Sequence, residues 1–189
     1  KAFIIDTPTK ETICKADPKS IEIIRPILRG RDIYKYYYKW AGFWLIATFP
    51  ALHIDIDQYP RIKKYLSSFG KRLEQSGEKG SRYKSNNKWF EIQDNTAYYE
   101  EFNKDKIIWP EIELNGNFAY DTNKFYVNDS AYIMTGANLM YILGILNSKL
   151  FDFYFGLISP SLSKKANRYG KVYIVQFPVP PYQAINITY

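Results

Sequence analysis

Short apolar runs separated by turn residues make up most of the chain from residue 21 onward. Rich in β-branched and aromatic side chains, these runs predict strands. They are IEII, FWLIATF, KWFEI, KIIWPEI, FAY, FYV, AYIM and KVYIVQF. The segment FAYDTNKFYV further predicts a hairpin, because residues 121–124 supply Asp and Asn to its turn. Residues 1–20 are polar and broken by Pro8 and Pro18, which predicts an extended lead-in.

Two segments show the helical period instead. After Pro60, a residue favoured at the first helical position, apolar residues recur at i, i+3, i+4, i+7 and i+11. They are Ile62, Tyr65, Leu66, Phe69 and Leu73. A second helix is predicted from Asn138, a candidate N-cap, to about Ile158. Its predicted inward face consists of Leu139, Ile142, Leu143, Leu146, Leu150, Phe153 and Leu157. Polar and charged residues at 147–149 and 152 favour a buried or docking helix over a membrane span.

The order of these elements predicts an α+β fold with a strand-rich part and a long helix in the C-terminal part. Alternation of strand and helix is missing, which argues against a doubly wound sheet. A chain of 189 residues with 46% apolar residues is long enough for one sizeable core. We expect a lead-in over residues 1–20 and one domain over residues 21–189. Since the chain opens on lysine and shows no signal peptide, we expect it to be part of a longer protein.

Positive charge is concentrated in two stretches. Residues 61–90 carry nine Lys and Arg against two Glu, a net charge of +7, whereas the other 159 residues carry 17 charges of each sign. A smaller cluster comprises Lys149, Lys164, Lys165, Arg168 and Lys171. Clustered cations gain most from neutralising phosphates and releasing counterions, so both stretches predict a surface that meets a polyanion. For residues 77–92, which overlap the first stretch, a mobile, solvated basic loop is the alternative interpretation.

The sequence offers little chemistry for catalysis. With one cysteine, Cys14, and one histidine, His53, a disulfide framework and the usual zinc site are excluded. We expect Cys14 to be a reduced thiol in the cytoplasm. The nearest nuclease-like pattern, residues 17–19, has proline in its would-be catalytic strand. Glu111 and Glu113 share one strand face and could bind a metal ion, with charged decoration of a sheet edge as the alternative.

Residues 77–92, GEKGSRYKSNNKWFEI, combine the chemistry needed to contact DNA. Arg82 has a planar fork that can bind guanine O6 and N7, while Asn86 and Asn87 can pair with adenine. Gly77 and Gly80 allow the loop to bend and its backbone to come close to a ligand. We therefore predict that this segment is a contact surface.

Six blocks of the sequence, in this order, resemble the C-terminal specificity domain of TaqI-like DNA methyltransferases. They are PILRGRDIYKYYY (residues 26–38), KRLEQSGEKGSRYKSNNKWFEIQ (71–93), KIIWPEI (106–112), FAYDTNKFYVND (118–129), LMYILGILNSKLFDFYF (139–155) and VYIVQFPVPP (172–181). The same domain occurs in type IIG restriction enzymes, which join nuclease, adenine-N6 methyltransferase and target recognition in one chain. The resemblance covers about residues 21–181 and implies an α+β fold.

The resemblance also implies a function. The chain would recognise a sequence in double-stranded DNA and position it for adenine-N6 methylation by a catalytic domain of the same parent chain, with no catalysis of its own. S-adenosylmethionine, and Mg²⁺ where a nuclease is present, would belong to that parent chain. A cytoplasmic location and no membrane partner are expected. A single-stranded nucleic-acid or protein-binding module, or a domain with its own nuclease activity, are the alternatives.

The predicted DNA-binding residues come from both basic stretches, which we expect to converge on one concave face. They are Lys63, Lys64, Lys71, Arg72, Lys79, Ser81, Arg82, Tyr83, Lys84, Asn86, Asn87, Lys88, Lys164, Lys165, Asn167 and Arg168. Lysines such as Lys63, Lys64, Lys71, Lys164 and Lys165 would contact phosphates. The residues expected to read base edges are Arg72, Arg82, Lys84, Asn86, Asn87 and Arg168. Arg31 is expected to pair with Asp32 or a nearby carboxylate rather than with DNA.

Overall fold

The computed structural model of the chain describes residues 2–93, 98–159, 161–163 and 166–182. The strands are β1 (Ile4–Asp6), β2 (Ile24–Leu28), β3 (Ile33–Tyr34), β4 (Tyr37–Tyr38), β5 (Phe43–Ile46), β6 (Lys106–Pro110), β7 (Ile112–Glu113), β8 (Ala119–Asp121), β9 (Tyr126–Val127), β10 (Ala131–Met134), β11 (Ser161–Ser163) and β12 (Ala166–Arg168). The α-helices are α1 (Thr7–Ala16), α2 (Pro60–Ser67), α3 (Leu139–Leu146), α4 (Lys149–Ile158) and α5 (Lys171–Ile174). Short strands combined with separate helices confirm the predicted α+β class.

The chain divides into two compact units. Unit 1 comprises Lys1–Ile27 and Gly42–Glu100, and unit 2 comprises Leu28–Ala41 and Glu101–Tyr189. The domain predicted over residues 21–189 spans parts of both units. Residues 1–20, predicted to be an extended lead-in, contain β1 and α1.

The first residues of the chain belong to the fold of unit 1. Ile5 of β1 is opposite Trp44 of β5, and Ile13 of α1 is buried in the core. Asp6 caps α1 by accepting a hydrogen bond of 2.9 Å from the backbone N–H of Thr9. Pro8, interpreted from the sequence as a chain breaker, lies in the first turn of α1, where its missing N–H costs nothing.

Unit 1 contains an antiparallel sheet in the order β1, β5, β2 and the helix α2. Ile62 and Leu66 of α2 are fully buried, and Leu73 beyond the helix is also in the core. This confirms the apolar face predicted after Pro60. The side of α2 that carries its basic residues faces solvent.

The segment KWFEI does not form the predicted strand. Residues 88–91 form a turn, in which the Glu91 carboxylate accepts a hydrogen bond of 2.7 Å from the backbone N–H of Lys88. Phe90 still enters the core, and its carbonyl accepts a 2.7 Å hydrogen bond from the Thr48 hydroxyl. Hydrogen bonds from side chains to the backbone have replaced the ladder that a strand would need.

Unit 2 contains two three-stranded sheets, in the orders β10, β6, β8 and β11, β12, β7, and the pair β3 and β4. Phe118, Phe151 and Phe155 are fully buried at the centre of one core cluster. The predicted hairpin over FAYDTNKFYV is wrong, because β8 pairs with β6 and not with β9. The turn residues were correctly identified, however, since the Asp121 carboxylate accepts hydrogen bonds from the backbone N–H groups of Asn123 and Phe125.

The long helix predicted from Asn138 to about Ile158 consists of two helices, α3 and α4, bent by 71°. At the break, Asn147 donates a 2.8 Å hydrogen bond to the carbonyl of Phe118 and accepts one of 3.2 Å from its N–H. The hydroxyl of Ser148 caps α4 by accepting a 3.1 Å hydrogen bond from the N–H of Phe151. Polar side chains at the break therefore start a new helix rather than interrupt a single one.

The bend changes which residues of the second helix face inward. Leu139, Leu143 and Leu146 of α3 are buried as predicted. In α4 the buried residues are Phe151 and Phe155, whereas the predicted inward residues Leu150, Phe153 and Leu157 are 68%, 70% and 70% exposed. Among the described residues no single helix is long and apolar enough to cross a membrane, and α3 with α4 meets those criteria only as a bent pair.

The run KVYIVQF forms the helix α5 and a turn, not the predicted strand. Ile174 and Phe177, three residues apart, are buried in the core of unit 2, while Val172 and Val175 are exposed. Three-residue spacing of the buried positions fits a helix, and a short apolar run does not reveal this spacing before the core is known.

A buried ion pair joins two strands of unit 2. Lys106 of β6 and Asp121 of β8 are both fully inaccessible, and Nζ lies 2.6 Å from Oδ2. Nζ also donates to the carbonyl of Phe102 at 2.8 Å, and the Asp121 carboxylate accepts from the Tyr38 hydroxyl at 3.1 Å. Desolvation lowers the pKa of Lys106, while the hydrogen bond and charge of Asp121 oppose that shift. Asp121 therefore serves as counter-ion, turn cap and anchor for β4 at once.

We expect the substitution Lys106→Met to lower the free energy of unfolding by about 3–5 kcal/mol, because it leaves the buried Asp121 carboxylate without a counter-ion. Urea denaturation followed by circular dichroism measures this loss. Lys104→Met is the matched control, since Lys104 lies two residues before Lys106 and forms a solvent-accessible ion pair with Glu101. That control should leave the midpoint nearly unchanged. Equal effects of the two substitutions would show that burial of the pair is not what matters.

Candidate nucleic-acid interface

The basic surface of unit 1 is formed by the cations of residues 61–88. Its exposed members are Arg61, Lys64, Lys71, Arg72, Lys79, Lys84 and Lys88. Lys71 is paired with Glu78 at 2.8 Å, and the half-buried Lys63 is paired with Asp57. The other exposed cations of this surface form no ion pair within the part of the chain that the structure describes. Their charge is available to an external anion.

Arg82 does not present its guanidinium as the sequence predicted. Its Nε and Nη2 donate to the carbonyl of Leu73 at 3.0 and 2.6 Å, and Nη2 also donates to that of Trp89 at 2.7 Å. Nη1 donates to the carbonyl of Glu91 at 2.8 Å. Its guanidinium also lies 5.3 Å from the centre of the Phe3 ring. Because main-chain carbonyls occupy the fork, Arg82 braces the loop in this structure, and its contact with guanine stays a prediction.

A second internal contact braces the same loop through Gln75, which is buried. Its Nε2 donates to the carbonyls of Lys88 at 2.9 Å and Glu91 at 3.1 Å. Its Oε1 accepts a 2.5 Å hydrogen bond from the hydroxyl of Ser85. Together with Arg82, Gln75 ties the two ends of the loop to each other without a regular strand or helix.

Two further predicted DNA-binding residues donate hydrogen bonds to main-chain carbonyls of the same segment. The amide nitrogen of Asn87 donates to the carbonyls of Ile92 at 3.3 Å and Gln93 at 3.1 Å. The hydroxyl of Ser81 donates to the carbonyl of Glu78 at 2.8 Å. Their donor groups therefore hold the loop together in this structure, and their contacts with DNA stay predictions.

The outer side of the loop displays the remaining candidates, Lys79, Tyr83, Lys84, Asn86 and Lys88, all of which are exposed. Two glycines make this shape accessible, because Gly77 and Gly80 have φ values of +77° and +88°. A Cβ atom at Gly77 would also lie 3.1 Å from that of Lys84. The loop combines a braced inner side with an outer side of cations and polar groups.

The predicted DNA-binding residues of unit 2 that the structure describes both contact other residues of the chain. Lys164 and Lys165 lie outside the described residues. Arg168 of β12 is half exposed, and its Nε is 3.4 Å from the Glu111 carboxylate. Asn167 donates its amide to the carbonyl of Leu114 at 3.1 Å. Both residues belong to β12, which pairs with β7, so these two side chains project from a sheet.

The pairing predicted for Arg31 is found at Arg29 instead. Arg29 donates to the Asp32 carboxylate through Nε at 2.9 Å and Nη2 at 2.7 Å. Arg31 is exposed and lines a cleft of about 320 Å³ together with Glu111 and Glu113. The fork geometry of an arginine with a carboxylate explains why a single residue takes both oxygen atoms of Asp32.

Among the described residues, no group of three or more His, Cys, Asp or Glu side chains is arranged to hold a metal ion. Glu111 contacts Arg168, as expected for charged decoration of a sheet edge. Asp17, part of the nuclease-like pattern, lies at the C-cap of α1 and accepts a 2.7 Å hydrogen bond from Ser20. Burial raises the pKa of the Cys14 thiol, which disfavours the reactive thiolate at neutral pH.

We expect Arg82→Met to lower the free energy of unfolding by about 2–4 kcal/mol, because three main-chain carbonyls lose their charged donor. Arg82→Lys should recover only part of the loss, since an ammonium lacks the fork. Arg72→Met is the matched control, as Arg72 is exposed and close to Arg82 in sequence. Urea denaturation separates these cases. Normal stability of Arg82→Met would contradict the structural role of this residue.

Comparison with known proteins agrees with this architecture. A solved structure of the type IIL restriction-modification enzyme MmeI in complex with DNA aligns with 89% of this chain at 14% sequence identity and a TM-score of 0.52. The aligned part spans 22% of the MmeI chain, and at this identity the likeness concerns the fold alone. The family model of the TaqI-like C-terminal specificity domain matches residues 25–179 and confirms the resemblance found in the sequence. The chain belongs to the TaqI-like C-terminal specificity domain family.

Proposed function

We propose that this chain is a double-stranded DNA recognition module of a type II restriction-modification enzyme. The observation that carries the proposal is the basic surface of unit 1, whose exposed cations are largely free of ion pairs within the described residues. Clustered free cations bind the phosphate backbone by releasing condensed counterions. Membership of a specificity-domain family and the fold shared with MmeI, whose solved complex contains DNA, support the same function.

The contacts within the loop divide its residues into two roles. Exposed lysines such as Lys64, Lys84 and Lys88 contact phosphates and set the position of the duplex. Arg72 and Asn86 are exposed and can turn toward base edges, where arginine pairs with guanine and asparagine with adenine. Arg82, Ser81 and Asn87 act indirectly, because they hold the loop that presents these groups.

Unit 2 supplies further contacts in this proposal. Arg168 can exchange its long contact with Glu111 for a phosphate or base, since both side chains are partly exposed. Lys164, Lys165 and Asn167 remain predicted DNA contacts. Lys63 and Lys71 would give up exposed ion pairs with acidic neighbours, which cost little to break.

Catalysis belongs to another part of the parent enzyme in this proposal. The recognition module holds the duplex while a methyltransferase domain of the same parent chain extrudes an adenine and modifies its N6. S-adenosylmethionine, and Mg²⁺ if the enzyme is of type IIG with a nuclease, bind to that parent chain. Such an enzyme acts on DNA in the cytoplasm.

We expect the chain to bind a 30-base-pair duplex more tightly than the corresponding single strand, with steep salt dependence. The logarithm of the binding constant should fall against the logarithm of salt concentration with a slope of about −0.9 per phosphate contact. Fluorescence anisotropy at several salt concentrations measures this slope. A flat salt response, or preference for the single strand, would contradict the proposal and favour one of the alternative binding modules.

The double variant Lys79→Gln with Lys84→Gln should make that slope shallower by about 1.8, because two phosphate contacts are lost. The control replaces Lys15 and Lys39 with Gln, as both are exposed and lie outside the basic surface. Its slope should match that of the unaltered chain. Equal changes in both double variants would indicate that net charge alone governs binding.

A further inference from the structure

Tyr83 has an unusual position in unit 1. Its side chain is 85% exposed, although moving an aromatic ring out of water is favourable. Single exposed aromatic residues are common on protein surfaces and need no explanation by themselves. What distinguishes Tyr83 is that the backbone on either side of this ring is held in place.

Hydrogen bonds hold the backbone at Tyr83 and at the residue before it. The carbonyl of Tyr83 accepts a 2.9 Å hydrogen bond from the Gln93 amide. The preceding residue, Arg82, donates its backbone N–H to the carbonyl of Glu74 at 2.8 Å and accepts at its own carbonyl from Gly77 at 3.0 Å. The guanidinium of Arg82 is bound to the carbonyls described above. The ring is thus presented to solvent from a braced backbone, which reduces the entropy lost on binding.

The surroundings of the ring suit a ligand with flat bases and an anionic backbone. Gly77, Ser81, Arg82, Tyr83 and Gln93 line a cleft of about 460 Å³, within the usual size range of sites for small organic groups. Lys79 and Lys84 are exposed on the same loop, and Lys84 directly follows Tyr83 in the chain. A ring with polar groups next to it and cations on its flanks can stack on a base while the phosphates are neutralised.

We propose that Tyr83 is a further DNA contact, which stacks on a nucleobase unstacked from the bound duplex. This inference rests on the proposed function and adds to it an uncharged contact. Stacking uses the face of the ring, so the hydroxyl group is dispensable. Stacking also does not neutralise a phosphate, so it leaves the salt dependence of binding unchanged, unlike the contacts of Lys79 and Lys84.

The test compares two 30-base-pair duplexes, one fully paired and one with a single bulged adenine, at low salt. The bulged base needs no unpairing, so the unaltered chain should bind this duplex more tightly by roughly 5-fold to 150-fold. Tyr83→Ala should lose that preference with an unchanged salt slope, and Tyr83→Phe should keep it. Tyr37→Ala is the control, because Tyr37 is 58% exposed and lies in unit 2. Urea denaturation of each variant verifies that the fold is intact.

Three results would overturn the inference while the proposed function stands. They are equal binding of the two duplexes by the unaltered chain, retention of the preference by Tyr83→Ala, and equal losses in the Phe and Ala variants, which would indicate a hydroxyl contact. If the unaltered chain binds neither duplex, the proposed function fails, and the inference fails with it.

Discussion

The loop of unit 1 depends on one cation bound by uncharged partners. Arg82 directs its guanidinium to the carbonyls of Leu73, Trp89 and Glu91, and no carboxylate among the described residues pairs with it. Desolvation lowers its pKa, yet arginine keeps its charge at neutral pH. An irregular segment has many carbonyls without ladder partners, and a five-donor fork can satisfy several of them at once.

In unit 2 an anionic side chain, Asp121, has the corresponding role. The Asp121 carboxylate accepts from Lys106, from the hydroxyl of Tyr38 and from two backbone N–H groups of the following turn. Here the irregular segment has free donors, so an acceptor group is required. In both units a charged side chain holds an irregular segment in place by binding its backbone groups. Exposed loops next to these segments can therefore carry residues that bind a partner.

The positive charge of the candidate site was predictable from the sequence, because the net charge of a segment follows from its residues alone. The excess of cations over residues 61–90 is found on the surface of unit 1, and the exposed Lys79, Lys84 and Lys88 are where the pattern placed them. The role of Arg82 was not predictable in the same way. Arg72 and Arg82 are chemically identical in the sequence. Only the folded structure shows that Arg72 is exposed while the guanidinium of Arg82 binds three main-chain carbonyls.

The sequence by itself determined the α+β class, the apolar face of α2, the turn at Asp121 and the location of the charge, because periodicity, turn chemistry and charge are local properties. Tertiary structure alone decided that residues 1–20 enter a core, that two helices replace one at Asn147, and that residues 88–91 form a turn. Each of these depends on hydrogen bonds between residues distant in sequence or on competition between a side chain and the backbone ladder. Such partners come together only when the chain has folded.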